Sequence, residues 1–304
     1  MERFYTYSRF LKERFGEKLY KISLNAGFTC PNRDGSKGMG GCIFCSQGGS
    51  GEYAESPRLS VTDQIKLGRS QSSAKYQSRR YIAYFQAFTS TYAPIDRLRS
   101  IYEEALALDQ IAALAIATRP DCIPEETLLL LKELNRIKPV FIEMGLQTCH
   151  DRTADRLNRC YPTSVFTDTS ARLKEAGLRV TAHVILGLPG ETRAMHYETI
   201  DYLNRLKVDG VKMSMLYILE NTELARQYLA DPFPVFTADS YIDLLIECIE
   251  RLDPRIVIER ITGDAPSRLL IAPRWGLGKG EVLNRIRHEM KVRDSFQGKR
   301  LGHE

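Results

Sequence analysis

Short continuous apolar runs alternate along this chain with longer stretches in which apolar residues recur every three to four positions. The runs at 21–24, 80–85, 112–117, 140–144, 179–186 and 211–216 lack the alternation of a half-solvated strand. Each is therefore expected as a strand covered on both faces. Helical periodicity fills 61–76, 95–108, 125–137, 167–176, 193–206 and 238–252. Pro94 and Pro124 stand just before two of these helices, Ser60 or Thr62 can cap the first, and Gly177 suits the residue after a helix end. Repeated strand–helix units predict parallel strands with helices outside, hence an α/β fold built as a partial (β/α)6 TIM-type barrel. A seventh strand at 255–260 and a last helix at 281–292 extend it. The expected organisation is an N-terminal helical extension (1–20), the barrel (21–252) and a basic C-terminal extension packed on it (253–304).

Barrel geometry puts chemistry at the carboxyl ends of strands. After the first strand comes a Gly-rich loop with Cys30, Cys42 and Cys45. Gln86-Ala87-Phe88-Thr89-Ser90-Thr91 follows the second strand and Thr118-Arg119-Pro120-Asp121 the third. Glu143-Met144-Gly145-Leu146-Gln147-Thr148 ends the fourth, and His183 through Glu191, with Gly187-Leu188-Pro189-Gly190, ends the fifth. Three thiolates on one loop suit a soft metal or an iron–sulfur cluster, and a missing fourth ligand leaves a position for chemistry.

The chain of 304 residues is 43% hydrophobic and 27% charged, ordinary for a globular protein. Nothing at its start resembles a signal peptide, and no run reaches the roughly 20 apolar residues of a membrane span. A cytoplasmic location without membrane contact is expected, and the seven cysteines argue against a disulfide framework. The formal charge of +5 is concentrated: residues 255–304 hold 11 Lys and Arg against 6 Asp and Glu. That segment is either a solvated surface or a phosphate-binding face, with Arg268, Arg274, Lys279, Arg285 and Arg287 as candidate RNA contacts.

With eleven residues between its first two cysteines and two between the last pair, the loop resembles a spaced-out signature of radical S-adenosylmethionine (SAM) enzymes. The wide gap is similar to the subgroup near the Elongator catalytic subunit. The stretches 260–266 and 270–275, Arg-Ile-Thr-Gly-Asp-Ala-Pro and Leu-Ile-Ala-Pro-Arg-Trp, resemble a narrower bacterial family that reworks the side chain on a tRNA wobble uridine. The resemblance implies a [4Fe–4S] cluster on Cys30, Cys42 and Cys45, with SAM on the fourth iron and a 5′-deoxyadenosyl radical as product. It implies Phe44 against the adenine, the turn of Gln86 and Thr89 near the amino group, Gln147 at the ribose and Arg159 on the carboxylate, with Arg156 as substitute. Leu186 and Gly187 would let backbone approach the adenine. It further implies a tRNA substrate, trimmed from carboxymethylaminomethyl to aminomethyl, and an electron donor such as flavodoxin or ferredoxin. Tyr217 stands where near relatives would carry a histidine. The oligomeric state is left open.

Three readings compete: a radical SAM enzyme on tRNA, one on a small molecule or protein, and a non-catalytic iron–sulfur or zinc protein. Zinc lacks a fourth donor, since no His or further Cys lies within fifty residues of the loop. His183 is either a core residue or a site residue, and Lys212 either a substrate contact or an edge charge. Cys149 and Cys160 are candidate hydrogen donors, whereas Cys122 and Cys248 read as structural.

Overall fold

The computed structural model describes residues 2–49, 51–73, 79–263 and 265–301. The end of the expected helix 61–76 and Asp264 of the 260–266 motif lie outside these residues. Seven parallel strands form one sheet in the order β1 (Tyr20–Leu24), β2 (Tyr81–Phe85), β3 (Ile111–Thr118), β4 (Val140–Gln147), β5 (Arg179–Leu186), β6 (Gly210–Met215) and β8 (Val257–Arg260). The helices are α1 (Tyr7–Phe15), α2 (Val61–Ser73), α3 (Ile95–Leu106), α4 (Glu125–Ile137), α5 (Asp151–Arg156), α6 (Thr163–Glu175), α7 (Arg193–Leu206), α8 (Glu223–Ala230), α9 (Ala238–Arg251) and α10 (Lys279–Val292). A two-stranded antiparallel ribbon, β7 (Ile218–Leu219) with β9 (Leu270–Ala272), lies outside the barrel sheet.

The two sheet faces have different partners. Ile22, Leu24, Phe85, Leu114, Ile116 and Ile142 belong to the large core shared with residues of α2, α3, α4, α6, α7 and α9. Their neighbours Ile82, Tyr84, Ala113, Ala115 and Phe141 face the concave side, where Leu11 of α1 packs with them. Phe10 meets Phe141 edge-on at 6.0 Å, and the Arg179 guanidinium lies 4.1 Å from the Phe10 ring. Phe141 and Arg179 lie within the first two residues of their strands, so α1 fills the amino end of the barrel. The free edge of β8 is covered by the chain's own start: Ile258 N–H donates to the Tyr5 carbonyl at 2.8 Å, which removes an unpaired strand edge.

The six expected strands and the seventh are all present. The sheet therefore continues through Arg260, past the boundary expected at residue 252. Two helices start earlier than their periodicity implied: α6 begins at Thr163, behind Pro162, rather than at 167, and α10 at Lys279 rather than at 281. Among the described residues no helix is long and apolar enough to cross a membrane.

Candidate functional site

β1 leads into a loop whose path depends on two consecutive glycines. Gly40 and Gly41 have φ of 78° and 82°, a region that L side chains rarely enter, and they turn the chain directly into Cys42. Arg33 and Asp34 N–H groups donate to the Cys30 carbonyl at 2.8 and 3.3 Å, and Cys45 N–H to the Cys42 carbonyl at 2.9 Å. Residues beyond β4 strap the loop in place. Asn158 Nδ2 donates to the carbonyls of Met39 and Gly41 at 3.1 and 2.8 Å, and Ile43 N–H to that of Leu157 at 3.0 Å. The buried Asn32 amide donates to the Asn158 carbonyl and lies 3.6 Å from Cys42 Sγ.

Burial pushes the Cys42 thiol up to about 12; Cys45 and Cys30 push the same way and Arg119 opposes them. Burial also raises Cys45, with Arg33 opposing and Cys30 adding. All three cysteines are half-buried, and Cys30 and Cys45 lie close enough to Cys42 to act on it as like charges. Among the described residues, no three His, Cys, Asp or Glu side chains are gathered tightly enough for a single metal ion. A tetrahedral zinc would draw its sulfurs to ~3.8 Å. A four-iron cube takes each thiolate on a different iron and keeps its ligands farther apart. Three soft donors, no fourth among the described residues, and Arg33 beside Cys45 to offset an anionic cluster fit the cube.

The other strand ends converge on this loop. Thr89, buried, donates its N–H to the Thr29 carbonyl at 3.2 Å, directly before Cys30. Gln86 Oε1 accepts from Ser23 Oγ at 3.1 Å. Gln147 follows a register shift in β4 and has φ of 62°; its buried Oε1 has no hydrogen-bond partner. An orphaned carbonyl oxygen costs about 1–3 kcal/mol, which a ligand hydroxyl would recover. Phe44 packs in the apolar cluster that contains Leu188 and Leu216, beside the end of β5 where Leu186 is buried. Gly187 has φ of 88°, and a Cβ there would come within 2.7 Å of Phe236.

Arg159 departs from the expectation. Nε donates to the Tyr161 carbonyl (3.0 Å), Nη1 to the carbonyls of Leu146 and Thr148 (2.7 and 2.9 Å), and Nη2 to Asp151 Oδ1 and Thr163 Oγ1 (3.1 and 2.9 Å). All five N–H groups are committed to protein, so none is left for a ligand carboxylate in this structure. Arg156 is exposed, and its Nη1 lies 3.1 Å from where a Gly190 Cβ would stand. A buried relay missed in the sequence lies nearby. Thr148 Oγ1 donates to Glu191 Oε1 at 2.5 Å, Glu191 Oε2 is 3.1 Å from His196 Nδ1, and Gly187 N–H donates to His196 Nε2 at 3.4 Å. His196 was hidden among the polar positions of α7.

Deeper in the barrel, Glu143 is buried between cations. Lys21 Nζ lies 2.5 Å from Oε1, His183 Nε2 3.0 Å from Oε2, and Lys212 Nζ also pairs with Oε2. Both ammonium groups lie 4.7 Å from the Tyr84 ring centre. Lys212 is thus an interior residue and not an edge charge. Burial lowers it to about 7 despite Glu143, with Lys21 and Arg260 acting in the same direction as burial. Burial and Lys212 also lower His183. Burial opposes the charge on Glu143, yet Lys21, Lys212 and His183 keep it well below the usual carboxylate range.

A pH prediction follows from Lys212. Below about pH 7 it is charged in both folded and unfolded chains; up to the unfolded value of about 10.4 only the unfolded chain keeps that proton. Its contribution therefore makes stability rise with pH across that window, with a slope approaching ~1.4 kcal/mol per pH unit. Lys21, held above the ordinary lysine value, loses its contribution only at still higher pH. Urea denaturation between pH 7 and 10 should show this rise, and Lys212→Met should flatten it. An equal rise in the variant would assign it to other groups.

The basic extension is partly self-neutralised. Arg285 pairs with Asp239. Arg274 turns Nε and Nη2 onto the Leu270 carbonyl at 3.0 and 2.6 Å. Arg287 donates to Asn284 Oδ1 at 3.3 Å. Arg268, Arg274, Lys279 and Arg287 remain exposed. Cys122 and Cys248 are buried, Cys149 accepts from Thr199 Oγ1 at 3.4 Å, and Cys160 Sγ lies 3.2 Å from Asn158 Oδ1.

The family described as Radical SAM superfamily matches residues 29–203, and the Radical_SAM C-terminal domain matches residues 208–292. The YtqA protein of Bacillus subtilis is 40% identical over 298 residues, 98% of this chain and 92% of its own. A tRNA uridine(34) acetyltransferase of Methanocaldococcus jannaschii is 24% identical over 184 residues, 57% of this chain and 33% of that one. The solved structure of Elp3 from Methanocaldococcus infernus shares the fold, with a TM-score of 0.71 at 14% identity over 92% of this chain and 64% of that one.

Proposed function

Starting from a chain that belongs to the radical SAM superfamily, we propose that it acts on tRNA and converts the carboxymethylaminomethyl side chain of a wobble uridine to aminomethyl. Membership makes the chain an enzyme that uses a [4Fe–4S] cluster and SAM. When bound, these supply reductive cleavage of SAM to a 5′-deoxyadenosyl radical able to take hydrogen from an unactivated carbon. The chain positions and shields that chemistry. Cys30, Cys42 and Cys45 would each take one iron. Phe44 would cover the adenine with Leu188, and the unpaired Gln147 Oε1 would accept a ribose hydroxyl. Gly187 would give backbone access, and Gln86 and Thr89 would border the amino group. A one-electron donor such as flavodoxin or ferredoxin would complete the system.

For the SAM carboxylate we assign Arg156 instead of Arg159, because Arg159 has no N–H to spare. Arg156→Ala should weaken SAM binding about tenfold or more with an unchanged melting temperature, as expected for a lost charged hydrogen bond. Arg159→Ala should instead lower the melting temperature, since it strands several buried carbonyls. Equilibrium SAM binding and thermal melts of both variants decide this; weak binding by Arg159→Ala at wild-type stability would reverse the assignment.

The observation that carries the RNA reading is the charge: the whole formal excess of +5 lies in residues 255–304, where Arg268, Arg274, Lys279 and Arg287 stand exposed. A relative aligned over 184 residues is itself named for tRNA uridine 34. Four phosphate contacts would make log K fall by about 3 for each tenfold rise in salt. The decisive measurement is mass spectrometry of wobble nucleosides from cells with and without the gene. Accumulation of the carboxymethylaminomethyl form supports the proposal, and an unchanged wobble base directs the search to a small molecule or protein.

A further inference from the structure

His183 marks the point on β5 where the barrel interior opens. Before it on the same strand, the Arg179 guanidinium lies on the Phe10 ring and Thr181 Oγ1 donates to Glu259 Oε1 at 2.7 Å. Both are committed to the protein. The His183 side chain, in contrast, is 32% exposed, while Glu143 at 1% and Lys212 at 5% are closed off behind it. Its register partner on β4 is Gly145, which has no side chain to cover it. The Gln147 amide folds toward that gap, with Nε2 2.5 Å from where a Gly145 Cβ would stand. The open imidazole and the unpaired Gln147 Oε1 therefore border one space, with His183 one layer deeper.

The hydrogen bonds fix what the imidazole offers to that space. Nε2 lies 3.0 Å from Glu143 Oε2. An ionised carboxylate only accepts, so Nε2 carries the hydrogen and Nδ1 presents a lone pair. Among the described residues Nδ1 has no hydrogen-bond partner. Burial, Lys212 and Arg260 favour the neutral ring, and Glu143 opposes them. Lys21 and Tyr84 face the same cluster from β1 and β2, and Glu259 approaches Lys21 from β8. An imidazole oriented by a buried carboxylate, with its other nitrogen bare and accessible, is the arrangement of a general base.

We propose that His183 is the base that takes the proton from the side-chain amine of the substrate. The proposal rests on the wobble-uridine reading, in which a secondary nitrogen joins the two methylenes of the carboxymethylaminomethyl group. That nitrogen is an ammonium in neutral water. The N–H bond breaks, an Nδ1–H bond forms, and the electron pair stays on the substrate nitrogen. No electron is exchanged, and Glu143 balances the imidazolium. The freed lone pair can stabilise an unpaired electron on the adjoining carbon, which an ammonium cannot do. Lys21, Lys212 and Arg260 disfavour a further cation here, so their field also favours loss of the ammonium proton.

The test uses the full-length, cluster-loaded protein and an anticodon stem-loop RNA that carries the carboxymethylaminomethyl group. Product is measured anaerobically from about pH 6.5 to 9.5, the span in which an amine begins to lose its proton in water. His183→Gln keeps an N–H for Glu143 and removes the base. Its iron content, SAM affinity and melting temperature should match wild type. At pH 7 its rate of product formation should fall roughly a hundredfold, within the range for one general base. The defect should then shrink about tenfold per pH unit, because the amine is increasingly neutral before it binds. A structural defect would keep the same ratio to wild type at every pH. Such a constant ratio, or a wild-type rate in His183→Gln at pH 7, would remove the proposal and leave the substrate reading intact. No product from the wild-type protein would overturn both.

Discussion

Replacing Cys30, Cys42 or Cys45 with alanine is expected to reduce iron and sulfide after anaerobic reconstitution to background, and 5′-deoxyadenosine formation with them. The physical reason is the donor count. The loop offers three thiols and, among the described residues, no neighbouring His or carboxylate completes a metal-binding group. Losing one of three leaves a cube held at two corners, exposed to solvent where a ligand should be. The fold should survive, because the loop is fastened by Asn158, Asn32 and the Ile43–Leu157 bond and not by the sulfurs. Cys149→Ala serves as control: its thiol meets Thr199, so iron content should stay at the wild-type level. A Cys30→Ala protein that kept its iron and cleaved SAM would defeat the assignment of this loop.

Glu143→Gln should produce the largest loss of stability. The carboxylate is the common partner of Lys21, Lys212 and His183 inside the barrel. Below about pH 7, where Lys212 is also charged, removing the Glu143 charge leaves two buried ammonium groups with Glu259, 3.5 Å from Lys21, as the remaining carboxylate partner among the described residues. Breaking a buried pair in this way costs roughly 3–5 kcal/mol. In a chain of this size the melting temperature should fall on the order of 10 °C. The double variant Glu143→Gln with Lys212→Met should recover part of that loss, because one of the stranded charges is gone. Thermal melts of the four proteins complete a double-mutant cycle. Strict additivity would mean that the pair is not coupled, contrary to the geometry.

Much of this architecture could be read from the chain because the signals are local. Uninterrupted apolar strands, Pro94, Pro124 and the spacing of three cysteines each lie within a few residues. β7 and β9, of two and three residues, are too short to show a period. α5 and α8 span only six and eight residues. The interior charge network was illegible for a different reason. Lys21, Glu143, His183 and Lys212 lie on four strands and meet only when the sheet curls. Arg159 shows the limit of arguing from resemblance. The resemblance implied a ligand contact, but it does not reveal how many carbonyls compete for one guanidinium.

The helix that fills the amino end of the barrel constrains the order of events. With Leu11, Phe10 and Phe15 plugging that end against Phe141, the carboxyl end of the strands is left as a doorway. Whatever lodges deepest must enter first and depart last. A bulky polymer standing in that doorway would trap the smaller molecule behind it until the polymer leaves. On the tRNA reading proposed above, steady-state kinetics should therefore be compulsory-ordered, with SAM as leading reactant and its fragments released after the modified RNA.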